Sequence, residues 1–160
     1  MKAPRILFGL ALALAASTAS AATPAPNVSQ YFDLCNGRVR SKVDITFGQT
    51  ATTATVRTKA SAVAPNPFAH GGLGPAPLEY SVFVASSVKK NASSPWSIAS
   101  TQQDGIVGVA QPDVSIGHST FKDASCQIKG TVILSSACPS QSGMTHDSRT
   151  IERNWVGCGL

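Results

Sequence analysis

The sequence has few charged or aromatic residues and, after its first 22 residues, no long apolar run. Charged residues make up 13% and aromatic residues 6% of its 160 residues. A membrane-spanning helix needs about 18 or more consecutive apolar residues, so we expect no spanning segment in the body of the chain. Lysine and arginine do not cluster beyond the pair Lys89-Lys90. Nucleic-acid binding requires denser basic clusters interleaved with aromatics, so no nucleic-acid partner is expected.

Local motifs for metal and redox chemistry are also missing. The four cysteines have no C-x-x-C spacing, which argues against a thioredoxin-like site or a zinc ribbon. His70, His118 and His146 have neither H-x-H nor H-x-x-x-H spacing. The sequence therefore predicts no metal site and no cofactor.

The first 22 residues are ordered like a secretory signal peptide. Lys2 and Arg5 precede an apolar run from residue 6 to residue 16, and the small residues Ala19-Ser20-Ala21 follow. This is the order that export and signal cleavage require. We expect residues 1–22 to be removed and the mature protein to be periplasmic or secreted. Without Lys2 and Arg5 the chain has 11 basic and 8 acidic residues, a formal charge of +3.

The mature chain has the length of one domain. Residues 23–34 contain Pro24 and Pro26 and have no clear hydrophobic period, so we interpret them as a flexible leader. Residues 35–160 are interpreted as a single β-rich domain. A long loop of prolines and glycines is expected at residues 62–78, and the tail from Pro139 is ambiguous between helix and strand.

The clearest pattern is a period of two, which is typical of half-buried strands. Apolar residues alternate with polar ones from Val39 to Phe47 and again in residues 53–60, so the segment up to Ser61 is predicted to be an antiparallel hairpin. Residues 80–88, 106–110, 114–116 and 126–135 are further strand candidates. Long helical runs are absent. We predict an all-β antiparallel sandwich, or a small barrel, of roughly six to eight strands.

Four cysteines in an exported chain suggest two disulfides, formed by Cys35, Cys126, Cys138 and Cys158. Three pairings are possible. An extended strand after Cys126 would carry the chain too far to return to Cys138, which disfavours that pair. Of the other two pairings, we prefer Cys35 with Cys126 and Cys138 with Cys158, because the second bridge would close a weakly apolar tail.

The predicted hairpin places four cations on one sheet face. If the apolar residues face the core, Arg40, Lys42, Arg57 and Lys59 lie together on the other side, relieved only by Asp44. Such a face would hold an anionic glycan, an envelope component or an acidic protein. The alternative is the ordinary solvated side of a sheet, protected from edge pairing by its charges.

The long loop supplies the other tentative ligand-binding residues, Phe68 and His70, because irregular loops on rigid scaffolds often contact ligands. Residues 70–74 (HGGLG) are similar to the oxyanion loop of esterases, but no complete G-x-S-x-G motif accompanies them. A small hydrolase using His70 or His118 would require a serine within hydrogen-bond reach. Trp96 and Trp155 are expected to be core anchors rather than sugar-stacking platforms.

We expect an exported binding or structural module with no catalytic residues assigned. The alternatives are a small secreted hydrolase, a fimbrial or surface-assembly subunit, and a secreted inhibitor that presents the long loop to a protease. A fimbrial subunit would need an N-terminal donor strand, and Pro24 and Pro26 interrupt the one available segment. The sequence does not specify a ligand or an oligomeric state.

Overall fold

Alternating apolar and polar residues produce strands throughout the computed structural model, which describes residues 25–63, 79–106, 112–140 and 142–159. The strands are β1 (Val28–Leu34), β2 (Val39–Gln49), β3 (Thr53–Val63), β4 (Glu79–Lys89), β5 (Ser97–Ile106), β6 (Asp113–Phe121), β7 (Gln127–Ser140) and β8 (Gly143–Val156). A 3₁₀ turn at Gly157–Gly159 follows β8. None of the described residues belongs to a helix long and apolar enough to cross a membrane.

The strands form two four-stranded antiparallel sheets. The first sheet has the order β1-β2-β3-β6 and the second has the order β5-β4-β7-β8. The chain passes between the sheets after β3, β5 and β6, and the inner faces of both sheets share one apolar core. The predicted all-β antiparallel sandwich is confirmed.

The hairpin of β2 and β3 agrees closely with its sequence pattern. Val43 lies opposite Ala60, and all four residues at the register positions of Ile45–Thr58 and Phe47–Val56 are buried. Trp155 packs edge-on against Phe47 with ring centroids 6.0 Å apart. Its predicted place in the core is confirmed.

The two sheets approach closely around a small polar cluster in the core. Thr58 Oγ1 lies 2.9 Å from Ser86 Oγ and donates to the Ala85 carbonyl oxygen at 3.1 Å. Ser86 Oγ donates in turn to the Ile116 carbonyl oxygen at 3.0 Å. Buried hydroxyls are tolerated because these bonds replace those lost to water.

Two segments differ from the sequence-based expectation. The prediction of a flexible leader is wrong for Val28–Leu34. This segment is a strand paired with β2, because Val28 and Leu34 bury their side chains in the core. Pro24 and Pro26 precede this strand and therefore remove no donor from its ladder. The ambiguous tail is the edge strand β8, paired with β7.

A third difference is β5, which has no inward apolar stripe. Its register with β4 places Ile98 and Ile106 on the outer face, together with Gln102 and Asp104. Of the predicted strand at 106–110, Ile106 is the last residue of β5, and residues 107–110 lie outside the described part of the chain. Trp96, just before β5, is 36% exposed, so its predicted place in the core is wrong.

Both predicted disulfides form, but the preferred pairing is wrong. Cys35 pairs with Cys138 and Cys126 with Cys158, with Cα atoms 5.3 and 5.8 Å apart. Because β8 runs antiparallel to β7, the chain returns to the start of β7, where Cys158 meets Cys126. Cys138, at the far end of β7, lies beside the turn after β1. The pair of Cys126 with Cys138, which the strand geometry disfavoured, does not form.

Candidate functional site

The four cations singled out in the sequence lie on the outer surface of the first sheet, here called the basic face. Arg40 and Lys42 project from β2, and Arg57 and Lys59 project from β3. Alternation alone produces this arrangement, since the residues between them point into the core. The structure thus brings these four predicted binding residues onto one surface.

Asp33 and Asp113 on the neighbouring strands add two carboxylates to Asp44, the one that the hairpin sequence already placed on this face. Asp33 on β1 lies opposite Arg40 and accepts two hydrogen bonds from its guanidinium, at 2.8 and 3.1 Å. This hydrogen bonding lowers the pKa of Asp33. Asp113 on β6 lies 3.1 Å from Lys59 Nζ, and Asp44 lies 3.7 Å from Lys42 Nζ. The face is consequently much less basic than its own hairpin.

Arg57 differs from the other three cations. Its Nε donates to Ser115 Oγ at 3.3 Å, and among the described residues no carboxylate forms an ion pair with it. A shallow depression of about 270 Å³ lies beside it, lined by Asp44, Thr46, Arg57, Lys59 and Ser115. Any anion held by the basic face would have its best donor at Arg57.

A groove of about 630 Å³ lies at one end of the second sheet. All four strands of that sheet contribute to it. Its lining residues, which define the groove, are Glu79, Tyr80, Ser81, Asp104, Gly105, Ile106, Ser135, Ser136, Ala137 and His146. Register explains the assembly, since Ser81 lies directly opposite both Asp104 on β5 and Ser135 on β7.

Hydrogen bonds fix one carboxylate in the groove. Gln102 Nε2 donates to Asp104 Oδ1 and to Ser81 Oγ, both at 3.1 Å. Hydrogen bonds from Ser81 and Gln102 lower the pKa of Asp104, so the carboxylate is ionised at neutral pH. Ser136 Oγ is occupied by the Glu79 carbonyl oxygen at 2.9 Å. The groove thus combines a fixed acceptor with hydroxyl groups and the apolar side chain of Ile106.

Phe68 and His70, the two predicted ligand-binding residues of the long loop, lie outside the described residues. The described chain resumes at Glu79, which lines the groove, and β5 ends there at Ile106. Sequence reasoning missed the groove itself, because its residues come from four strands and form no local motif.

One serine and histidine meet as the hydrolase alternative requires. Ser97 Oγ lies 2.8 Å from His118 Nε2, where the edge strands β5 and β6 of the two sheets come together. A catalytic histidine also needs a partner that orients its ring. Within the described chain no carboxylate is hydrogen-bonded to His118, and Ser97 is exposed rather than enclosed in a cleft. This pair is a surface hydrogen bond between the sheets.

No cluster of three histidine, cysteine or acidic residues suited to a metal ion occurs among the residues described. No protein-family model, curated protein or solved structure matches the chain. Sandwich folds serve many unrelated functions. Any functional assignment therefore has to rest on the geometry of the groove and of the basic face.

Proposed function

We propose that this protein is an exported, non-catalytic binding module that holds a hydroxyl-rich ligand, a neutral or amino sugar, in the groove. The single observation that carries this proposal is the convergence of Glu79, Asp104 and three serines around a cavity of about 630 Å³. Export is supported by the order of the first 22 residues and by two disulfides, which persist in oxidising compartments.

The chemistry of the groove suits a sugar. Ligand sites generally enclose about 300 to 1,000 Å³ and combine apolar walls with a few fixed polar groups. An ionised carboxylate accepts hydrogen bonds from two neighbouring hydroxyls, and Asp104 is already oriented for this by Gln102. Ile106 and Ala137 offer apolar contact to the C–H face of a sugar ring. Because these groups stand on strands, little ordering is needed when the ligand binds.

Binding of the mature protein to immobilised neutral, amino and acidic glycans tests the proposal. Asp104→Asn keeps the shape of the groove but removes the charge, so affinity for the best neutral or amino sugar should fall about tenfold to a hundredfold. The matched control is Glu152→Gln, since Glu152 is an outer-face carboxylate bonded to Thr131 and Lys129 outside the groove.

Sugar binding that Asp104→Asn weakens and Glu152→Gln leaves unchanged would support the groove. Either of two results would overturn the proposal. In the first, no neutral or amino glycan binds the native protein; in the second, both variants weaken binding equally.

A second ligand class is supported by Arg57, the cation of the basic face with a hydroxyl partner rather than a carboxylate. We propose that an anionic glycan or envelope phosphate binds there. Arg57→Gln should reduce retention on an anionic glycan column, whereas Arg40→Gln should change it less, because Asp33 already neutralises Arg40. Equal retention of both variants and the native protein would contradict anion binding at this face.

The fimbrial alternative is less well supported by the strand order. Its N-terminal donor strand would have to leave the subunit, whereas β1 pairs along its whole length with β2 of the same chain. The loop expected of an inhibitor lies mainly in residues 64–78, outside the described residues. A binding module remains the function with the most direct geometric support.

A further inference from the structure

The strand β8 leaves a long backbone edge open. It contains 14 residues and pairs with β7 on one side. In the described part of the chain no strand pairs with its other side. An open edge offers rows of N–H and C=O groups that can template another strand. Met144 and Val156, near its two ends, are 60% and 55% exposed.

We propose that β8 pairs antiparallel with β8 of a second copy, about a two-fold axis at Thr150. A two-fold axis normal to the sheet keeps the outer faces of both copies on the same side. Residues that oppose each other across the axis then lie on the same face of the sheet. Because faces alternate along a strand, such residues are an even number of positions apart, so the axis has to pass through a residue and not between two residues. Centring it on Thr150 opposes Met144 to Val156 of the second copy, and Asp147 to Arg153.

The sequence of β8 is self-complementary in this register. Met144 of each copy lies opposite Val156 of the other, and Asp147 of each copy lies opposite Arg153 of the other. Because of the symmetry, each of these contacts occurs twice. Directly opposed Cβ atoms lie about 4.5 to 5.5 Å apart, close enough for the carboxylate and guanidinium to bond. The outer-face residues Met144 and Val156 and the inner-face residues Asp147 and Arg153 are paired at the same time.

Neighbouring registers bring like charges together. Moving the axis to Ile151 places Arg149 opposite Arg153, and moving it to Arg149 places that residue opposite its own copy. Like charges directly opposed destabilise a sheet. The charges of β8 therefore select the axis at Thr150 and suppress slippage to either side.

The groups needed for the intermolecular ion pair have spare capacity. Asp147 Oδ2 accepts from the Cys35 backbone N–H at 2.8 Å, and its Oδ1 has no bond in the described structure. Arg153 uses Nη1 to donate to the Glu152 carbonyl oxygen at 2.8 Å. A guanidinium has five N–H donors, so it can bond Asp147 of the second copy as well.

Cysteine cross-linking of the full mature protein tests the register. Opposed Cα atoms in an antiparallel pair are about 4.5 to 5.5 Å apart, within the range of a disulfide. Thr150→Cys should therefore give a covalent dimer on mild oxidation, with both native disulfides intact by peptide mapping. Ser148→Cys is the matched control, because its copies would be about four residues, or ~13 Å, apart along the strands.

Charge reversal provides a second and independent test by sedimentation and native mass spectrometry. The native protein should dimerise, whereas Arg153→Asp and Asp147→Lys should each be monomeric because they oppose like charges. An equal mixture of the two variants should form heterodimers, in which opposite charges meet again. Monomeric native protein, an unpaired mixture, or equal cross-linking at positions 148 and 150 would overturn the proposal.

Discussion

Gly130 is the position where an added methyl group should do the most damage. It lies on β7 and faces Ile45 and Thr58 of the first sheet. A Cβ at this position would collide with the Ile45 side chain and lie 2.9 Å from Thr58 Oγ1. Gly130→Ala therefore requires movement of two buried side chains on the opposite sheet.

The magnitude follows from two costs and one smaller gain. Overpacking a core by one carbon costs about 1 to 3 kcal/mol, and displacing Thr58 from Ser86 and the Ala85 carbonyl oxygen costs about 1 to 3 kcal/mol more. Restricting the unfolded chain by replacing glycine with alanine returns about 0.4 to 1 kcal/mol. We expect a net loss of about 3 kcal/mol in the free energy of unfolding.

Urea unfolding of the oxidised protein, followed by circular dichroism, measures this loss as a fall in the midpoint of about 1 to 3 M. Gly117→Ala is the matched control, because the nearest atom to its added Cβ is the Val56 carbonyl oxygen at 3.8 Å, an ordinary contact. Its stability should change by less than about 1 kcal/mol. Equal effects of the two substitutions would refute the reasoning.

A double-mutant cycle isolates the contact itself. Ile45→Ala alone removes buried apolar volume and should cost about 2 to 5 kcal/mol. Combined with Gly130→Ala, it also removes the collision, so the double variant should be more stable than the sum of the single losses predicts. If the two losses in the free energy of unfolding were strictly additive, there would be no steric clash between Ile45 and the alanine at position 130.

Three further predictions concern the disulfides, one hydroxyl and one carboxylate. Loop closure should stabilise the protein by about 4.7 kcal/mol for the Cys35–Cys138 bridge, which spans 103 residues, and by about 3.7 kcal/mol for the Cys126–Cys158 bridge, which spans 32. Replacing each cysteine pair by serines and measuring the free energy of unfolding tests this order, and a larger loss for the Cys126–Cys158 pair would contradict it. The Tyr80 hydroxyl is buried with no partner among the described residues, and burial raises its pKa, so Tyr80→Phe should stabilise the protein by about 1 kcal/mol in the same assay. Because Arg40 lowers the pKa of Asp33 in the folded state, this pair contributes stability above the unfolded pKa of about 3.9 and loses it as the pH falls through the folded value. Asp33→Asn should therefore flatten the acid limb of the stability profile, and an unchanged limb would contradict the assignment.

The best-predicted part of the fold is the hairpin of β2 and β3, because both strands place apolar residues inward and polar residues outward. The pattern fails for β5, whose Ile98 and Ile106 point outward while its backbone pairs with β4. It is also obscured in β1, where the buried residues Val28 and Leu34 stand at the two ends of the strand. Edge strands depend on their neighbours for stability, and that information is not local.

The same limit applies to the candidate sites. The four cations of the basic face come from one hairpin, so the sequence placed them together, but Asp33 and Asp113 belong to strands whose register was unknown. The groove depends on register even more strongly, since Asp104, Ser81 and Ser135 meet only when β5, β4 and β7 align. A long-range disulfide pairing fails for the same reason, because β8 determines which cysteine returns to Cys126. The chemistry of the candidate sites is therefore determined by how the strands pair, whereas the sequence pattern identifies only those strands whose apolar and polar residues alternate clearly, such as β2 and β3.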